Sequence, residues 1–390
     1  MRVLINTPIE AETATGKHVV AVVSPLVVGA GAPGWWEPLF KTCRNPSVFL
    51  SPAWMESWLE VYGLEFEGSW VRWESSGIVV GGCLFVTRRV WKWAVPMKTI
   101  FLNATGESVH RTPMAEYNDI LHLAGYEAAI ATDAVRVLRA QRWSLLSIVG
   151  YEKNALVTRL VSGLPAAAIE TDERKANFVD LAALVNIEFE TSLAGKAGNH
   201  IRRNRRLYET AYGNFEVVRA RDLEEAMRFF ADLVGLHTTR WGKKGKGGSF
   251  SSEAVVDFHR RLIGRLWPVG GVDLVSVRAA GKVVGYLYNF TTENKVYFFQ
   301  SGFSYEHGSK RSPGLLTHAL CIEDYRLKGY SEYDLLAGEA QYKRALARNE
   351  RSLYWTVIYR DVSWPRIVLS AVKLKGKVEN LLRRAAALFA

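Results

Sequence analysis

The chain has 390 residues, 48% of them hydrophobic and 23% charged, and carries a formal charge of +11. That length accommodates two domains of ordinary size, and the composition is that of a globular protein. Three scattered cysteines, Cys43, Cys83 and Cys321, exclude a disulfide framework and a CxxC metal site and suit a reducing compartment. The positive charge favours an anionic partner, whether phosphate, coenzyme, nucleic acid or an anionic membrane face, without choosing among them.

At the N-terminus, Glu10 and Glu12 stand where a signal peptide would carry basic residues, so a cytoplasmic protein is expected. The apolar run 18–32 is too short to span a bilayer and contains Pro25. It reads as a pair of core strands. Gly29-Ala-Gly-Ala-Pro-Gly34 matches GxGxxG formally, but Pro33 and Pro38 flank Trp35-Trp36 and no helical pattern opens there, so no nucleotide site is expected. A helix follows over 52–62, then strands over 70–73 and 78–90 around Ser75-Ser-Gly77, a strand over 99–104, a helix over 128–141 and a buried strand over 144–149.

The order then repeats. Helices are predicted over 223–239 and 253–266, strands over 272–279 and 282–291 around Ala280-Gly281, a strand over 295–304, a helix over 313–328 and strands over 332–337 and 352–359. The likeness lies in element order rather than residue identity and points to a duplicated unit. The join is expected between residues 181 and 197, giving halves 1–190 and 191–364 and a basic amphipathic tail, 365–390.

The segment from Ser312 to Lys343 is the most informative. Ser312 suits an N-cap and Pro313 the first helical position. Leu315, Ala319 and Ile322 share one helical face, and Gly329 is a natural stop. Lys310 and Arg311 add cationic charge just before the cap, where a helix N-terminus attracts anions.

Other basic stretches stay open. Gly242-Lys-Lys-Gly-Lys-Gly-Gly-Ser249 lacks the GK[ST] ending of a phosphate loop and reads as a basic loop able to contact an anionic substrate. The helix bearing Lys196, His200, Arg202, Arg203, Arg205 and Arg206 suits a solvated face, a phosphate-bearing substrate or RNA. The tail suits either an anionic membrane, at the inner face, or packing on the domain. No motif for a metal is present.

With these residues in place, the chain resembles the GNAT superfamily, and within it the FemAB-like and CelD-like (cellulose-biosynthesis-associated) acyltransferases. The resemblance rests on Phe49-Leu-Ser-Pro-Ala-Trp54 with Trp58, on Tyr117-Asn-Asp119, on Leu236-His237 with Arg240-Trp241, on Phe250 and Phe258, and on Ser312-Pro-Gly-Leu-Leu316, Tyr333-Asp-Leu-Leu336, Gly338 and Tyr342-Lys343. It implies an α/β (α+β) fold of tandem GNAT-like domains, each with a mixed sheet splayed at its centre. It implies an N-acyltransferase using acyl-CoA as co-substrate, with no tightly bound cofactor, and an amine of an envelope or exopolysaccharide precursor as acceptor. Long-chain transfer to a lipid amine of sphingoid type, aminoacyl-tRNA-dependent transfer and a non-enzymatic scaffold are the alternatives. The superfamily's pyrophosphate loop usually reads Gln/Arg-x-x-Gly-x-Gly/Ala; Lys310-Arg-Ser-Pro-Gly314 has fewer glycines.

Direct transfer from a thioester to an amine needs a base, an oxyanion site and an acid for the thiolate. His237, Asp334 and Glu339 are the candidate bases, Tyr342 the acid, and Lys343 a group to hold an acceptor phosphate or polarise a carbonyl. Gln300, Ser301, Gly302 and Phe303 are expected to carry the oxyanion and the donor, with Lys310, Arg311, Ser312 and Gly314 on its phosphates. Tyr117, Asp119, Arg240 and Trp241 are expected to line the acceptor side. Each has a structural alternative: His237 pairing with a helix neighbour, Asp334 with a buried arginine.

Overall fold

A computed structural model describes residues 10–11, 17–92, 95–193, 195–242, 248–305 and 312–360. The first half runs β1 (Glu10–Ala11), β2 (Val19–Pro25), α1 (Trp36–Thr42), α2 (Pro52–Tyr62), β3 (Glu67–Ser75), β4 (Ile78–Lys92), β5 (Val95–Leu102), β6 (Leu121–His122), α3 (Glu127–Ala140), β7 (Leu145–Glu152), α4 (Leu156–Gly163) and β8 (Ala166–Asp180). The second runs α5 (Phe189–Ser192), α6 (Gly195–Tyr212), β9 (Phe215–Arg219), α7 (Leu223–Gly242), α8 (Glu253–Leu266), β10 (Val272–Ala279), β11 (Lys282–Thr291), β12 (Lys295–Phe303), α9 (Pro313–Leu327), β13 (Glu332–Ala337), α10 (Gln341–Leu346) and β14 (Asn349–Arg360).

One mixed sheet joins everything, in the order β1-β2-β3-β4-β5-β7-β14-β8-β13-β12-β11-β10-β9, with β6 off the path on β4. The order is a palindrome about the β14–β8 pair, with β7 matching β13, β5 matching β12, β4 matching β11 and β3 matching β10. The two hairpins match as well. Ser76 and Gly77 have φ of 51° and 77°, and Ala280 and Gly281 have 48° and 75°. Two successive positive φ values make the turn whose twist suits a two-residue hairpin.

At the centre the halves exchange strands. β14, last in sequence, lies between β7 and β8 of the first half, and β8 lies between β14 and β13 of the second. Each half's sheet is thus closed by the other half's strand. The tandem, splayed α/β architecture expected from the sequence is present. The segment between β8 and α6 carries the short helix α5.

Among the described residues three large cores flank the sheet, with a small fourth cluster around Met97, Leu145 and Tyr359. Two belong to separate halves, around Trp73, Ile130 and Ile148 in one and around Val296, Ile322 and Leu335 in the other. The third is shared between them. In it the Trp54 indole of α2 packs edge-on to Phe258 of α8, with ring centroids 4.8 Å apart, and to Phe290 of β11 at 6.0 Å. Ser51 caps α2 by accepting from Trp54 N–H at 3.2 Å, which fixes where that indole enters.

Some expectations differ from the structure. The run 18–32 forms one strand, β2, paired to β3. Its second part turns away through Gly29 and Gly31, at φ of 78° and 71°. β8 was not foreseen, because residues 170–175 are exposed and charged and carry no alternation to read. Among the described residues no helix is long and apolar enough to cross a membrane. The basic loop's 243–247, the tail 365–390, Lys310 and Arg311 lie outside the described residues.

Because Trp54 belongs to one half and its partners to the other, Trp54→Ala is expected to cost about 3–5 kcal/mol. Urea unfolding followed by fluorescence and by far-UV circular dichroism checks this. Both probes should report one coincident transition at a lower midpoint, since neither half's sheet is complete without the other.

Candidate active site

The site lies where β12 and β13 part. They pair in parallel only from Lys295, Val296 and Tyr297 to Glu332, Tyr333 and Asp334. Beyond that point each strand carries a bulge. On β12 the register against β11 jumps so that Phe299 is the extra residue. On β13 the register against β8 jumps between Asp334 and Ala337. Leu336 sits there at φ +59°, a left-handed conformation that a leucine adopts only under constraint. Asp334 supplies the constraint: its Oδ1 accepts Leu336 N–H at 2.7 Å.

Past the bulge, Gly338 N–H returns to β8 by bonding Lys175 C=O at 3.1 Å. Ala337 therefore turns both of its backbone groups away from β8 and into the gap. Two side chains take them. Glu116 Oε2 accepts Ala337 N–H at 2.8 Å, and Lys343 Nζ donates to Ala337 C=O at 2.7 Å and to Leu336 C=O at 3.1 Å. An anion and a cation thus hold one peptide unit from opposite ends. Burial lowers Lys343 and pushes Glu116 up to about 7, although Lys343 and the Ala337 N–H pull Glu116 the other way.

Glu116 comes from the first half, on the segment 115–119. Its neighbour Tyr117, at φ +50°, donates its hydroxyl to Asp334 Oδ2. Burial pushes Asp334 up to about 6 against the pull of Arg351, 3.9 Å away, and of Tyr117. Asn118, one residue on, points back into its own half. Its backbone N–H donates to Gly150 C=O of β7 at 3.1 Å and its side chain to Leu102 C=O of β5 at 3.1 Å. β5 and β7 also part after three rungs, from Thr99, Ile100 and Phe101 against Leu145, Leu146 and Ser147. There, however, Asn118 stitches the gap shut. The β4–β5 ladder also runs in unbroken register, without the bulge that β12 carries. The two halves share a plan, but among the described residues Asn118 bonds to both strands of the first half's gap, whereas Glu116 and Lys343 bond to β13 alone in the second.

The remaining expected residues fall in distinct places. Gln300 to Phe303 line the edge that β12 turns to the gap. Ser301 N–H is held by the Gln300 side-chain oxygen at 3.1 Å. Gly302 is obligatory, since a Cβ there would come within 2.6 Å of Leu233 C=O on α7. Tyr342 stacks on the buried His318 of α9, with centroids 5.2 Å apart and planes 17° apart, and burial pushes its phenol up. His318 itself is driven down to about 3 by burial beside Lys343 and stays neutral.

His237 is neutral too. Its Nδ1 faces Ser301 C=O at 3.2 Å and its Nε2 faces Ser249 N–H at 3.3 Å, and burial lowers its pKa. Those partners fix Nδ1 as the donor and commit both nitrogens. Trp241 packs beside His237, with centroids 6.0 Å apart, and the Arg240 guanidinium lies 4.9 Å over the Tyr305 ring. Glu339 is exposed.

Ser312 precedes α9 as expected, but its side chain does not cap the helix. Its backbone is left-handed, at φ +44°, and its Oγ meets His200 of α6 at 2.8 Å. Gly314 lies against the Phe303 ring, which an added Cβ would approach to 2.9 Å. Asp119 caps α4 by accepting Leu156 and Val157 N–H at 3.1 and 3.0 Å. It also borders a cavity of about 390 Å³ between the halves, beside Tyr117, Tyr297 and Arg351. Among the described residues no group of three or more His, Cys, Asp or Glu is placed to hold a metal ion.

The sequence reading missed Glu116 and His318. Glu116 sits beside the Tyr117-Asn-Asp119 motif, and only the fold across the β13 gap distinguishes it from other acids.

A mixed sheet split between two parallel strands, with a helix connecting them, is the arrangement of the GNAT acyltransferases. Residues 195–344 match the family model described as acetyltransferase (GNAT) domain, and the protein is an acyltransferase. The structure of FemX superposes with a TM-score of 0.52 at 12% identity, over 83% of this chain and 94% of FemX. A conserved protein of unknown function from Bacteroides thetaiotaomicron VPI-5482 superposes with a TM-score of 0.50 at 10% identity, over 83% of this chain and 96% of its own. At those identities the likeness is one of fold, and it extends through both halves. No curated protein matches the chain by sequence.

A carboxyl with a folded pKa above its unfolded value weakens folding as it ionises. For Glu116 that penalty is absent below about 4.5, grows up to about 7 and is complete above it. Glu116→Gln keeps an oxygen for Ala337 N–H and cannot ionise. It is expected to be more stable than the wild type at pH 8, by roughly 1–3 kcal/mol, with the difference closing by pH 4. Denaturation midpoints across that range check it.

Proposed function

We propose that the protein transfers an acyl group from acyl-CoA to the amine of an envelope or exopolysaccharide precursor such as an amino sugar. The observation that supports this reading is the asymmetry of the two gaps. In the second half β12 and β13 part beyond Tyr297 and Asp334 with the start of α9 beside Phe303, while Asn118 bridges the counterpart in the first half. One acyl donor per chain, bound in the second half, fits that asymmetry.

In this reading the donor's phosphates lie near Ser312, Gly314 and His200, where α9 begins and the basic face of α6 passes. The thioester lies at the parting of the strands. The Phe303 N–H, which the register turns away from β11, faces the oxyanion as the carbonyl becomes tetrahedral, and the Ser301 N–H joins it if the Gln300 side chain moves aside. Tyr342, raised by burial and seated on His318, protonates the leaving thiolate. Lys343 holds the Leu336–Ala337 carbonyls and so fixes the β13 wall of the gap. The acceptor enters from the cavity bordered by Tyr117 and Tyr297. The resemblance to the CelD-like enzymes bears on the acceptor class.

A second reading replaces the amino sugar by a lipid amine. It is favoured by a groove of about 650 Å³ between the halves, with Phe40, Val48, Pro52 and Leu266 on its walls, which meets the acceptor cavity at Lys295 and Tyr297.

Free thiol released from acetyl-CoA and from long-chain acyl-CoA, measured against amino sugars and long-chain amines, decides between acceptors. Tyr342→Phe is expected to lower kcat by about 10–100-fold with the donor KM nearly unchanged, because the phenol acts on the leaving group only. An unchanged kcat would remove Tyr342 from the acid role.

A further inference from the structure

We propose that Glu116, supplied by the first half, is the catalytic base of the second half's transfer reaction and takes the proton of the attacking amine. The inference rests on the acyl-transfer reading above and names the group that reading leaves unassigned.

Position comes first. Glu116 enters the gap between β12 and β13 and anchors Oε2 on the Ala337 N–H. Among the described residues this is the single hydrogen bond its carboxyl receives, so Oε1 is left for another donor. An amine N–H is such a donor.

Elimination points the same way. His237 spends both ring nitrogens on Ser301 C=O and Ser249 N–H. Asp334 is fully buried, with one oxygen on Leu336 N–H and the other on the Tyr117 hydroxyl. Glu339 faces solvent. His318 is fully buried beneath Tyr342 and too weak a base, at about 3.

The surroundings suit the task. Lys343 faces Glu116 from α10, Asp334 from β13 and Arg174 from β8. Burial outweighs the two cations and holds the carboxyl near neutrality, where a base is most effective. The step balances. The amine nitrogen bonds to the thioester carbon as its proton passes to Glu116. The C–S bond then breaks, the thiolate takes a proton from Tyr342, and proton return from Glu116 through solvent restores both groups.

The test compares wild type, Glu116→Gln and Glu116→Asp in thiol release from pH 5.5 to 9, with acyl-CoA affinity measured by calorimetry. Wild-type kcat is expected to rise with unit slope to a plateau with its midpoint near 7. Glu116→Gln should bind acyl-CoA within about threefold of wild type, lose about 10²–10⁴-fold in kcat, and lose that acidic limb. Glu116→Asp should keep a limb displaced to lower pH. An active wild type whose limb and rate survive in Glu116→Gln overturns the assignment. If Glu116→Gln does not fold, a limb unmoved in Glu116→Asp overturns it equally. A wild type that neither binds acyl-CoA nor releases thiol overturns the parent reading, and the base with it.

Discussion

The pairing of β8 with β14 is the constraint on which the rest of the structure depends. Asn349 to Arg360 run antiparallel against Ala166 to Phe178, and each strand then closes the other half's sheet. A domain boundary usually falls where few contacts cross. Here the backbone ladder is continuous across the middle and an aromatic core is shared beneath it. The orientation of the halves is therefore set by hydrogen-bond register. That rigidity is what lets a residue of one half be held within hydrogen-bonding distance of a strand of the other.

The segment Glu116-Tyr117-Asn118 uses that fixed orientation. Tyr117 in the left-handed region sends its two neighbours to opposite sides. Asn118 ties β5 to β7 across the first half's gap. Glu116 enters the second half's gap, and the Tyr117 hydroxyl reaches Asp334 at the bulge. The same few atoms thus bridge the gap of one copy of the unit and reach into that of the other. The bulges do related work: on β13 the bulge frees both backbone groups of Ala337, and on β12 it marks where the strands part.

The electrostatics carry a cost to stability. Glu116 and Asp334 are both pushed up by burial, to about 7 and about 6, and each is satisfied by only a few donors. A pair of neutral side chains of similar size would fold more favourably near neutral pH. Carboxyls held that way are common where a proton has to move, and rare where only packing is at stake.

Much of this was legible in the residues. α2 and α8 follow from periodicity because one face of each packs on the core, and β10, β11 and β13 follow as apolar runs bounded by breakers because they are buried on both faces. Ser312-Pro313 marks the start of α9. The motif around Tyr117 gave its segment away, and Tyr342-Lys343 marked the segment after β13, which folds as α10. What stayed hidden has one physical origin. β8 pairs with β14 and β13, both far along the chain, and is exposed along its charged middle, so it has no alternation. The Ser312 hydroxyl turned to His200, and Glu116 found Ala337, through contacts between residues more than a hundred positions apart. The sequence by itself determined the repeated α/β plan and the acyltransfer chemistry. Only the tertiary structure decided which copy's gap is bridged and which acid reaches the other, because both depend on strand exchange, and register across exchanged strands leaves no local trace in the chain.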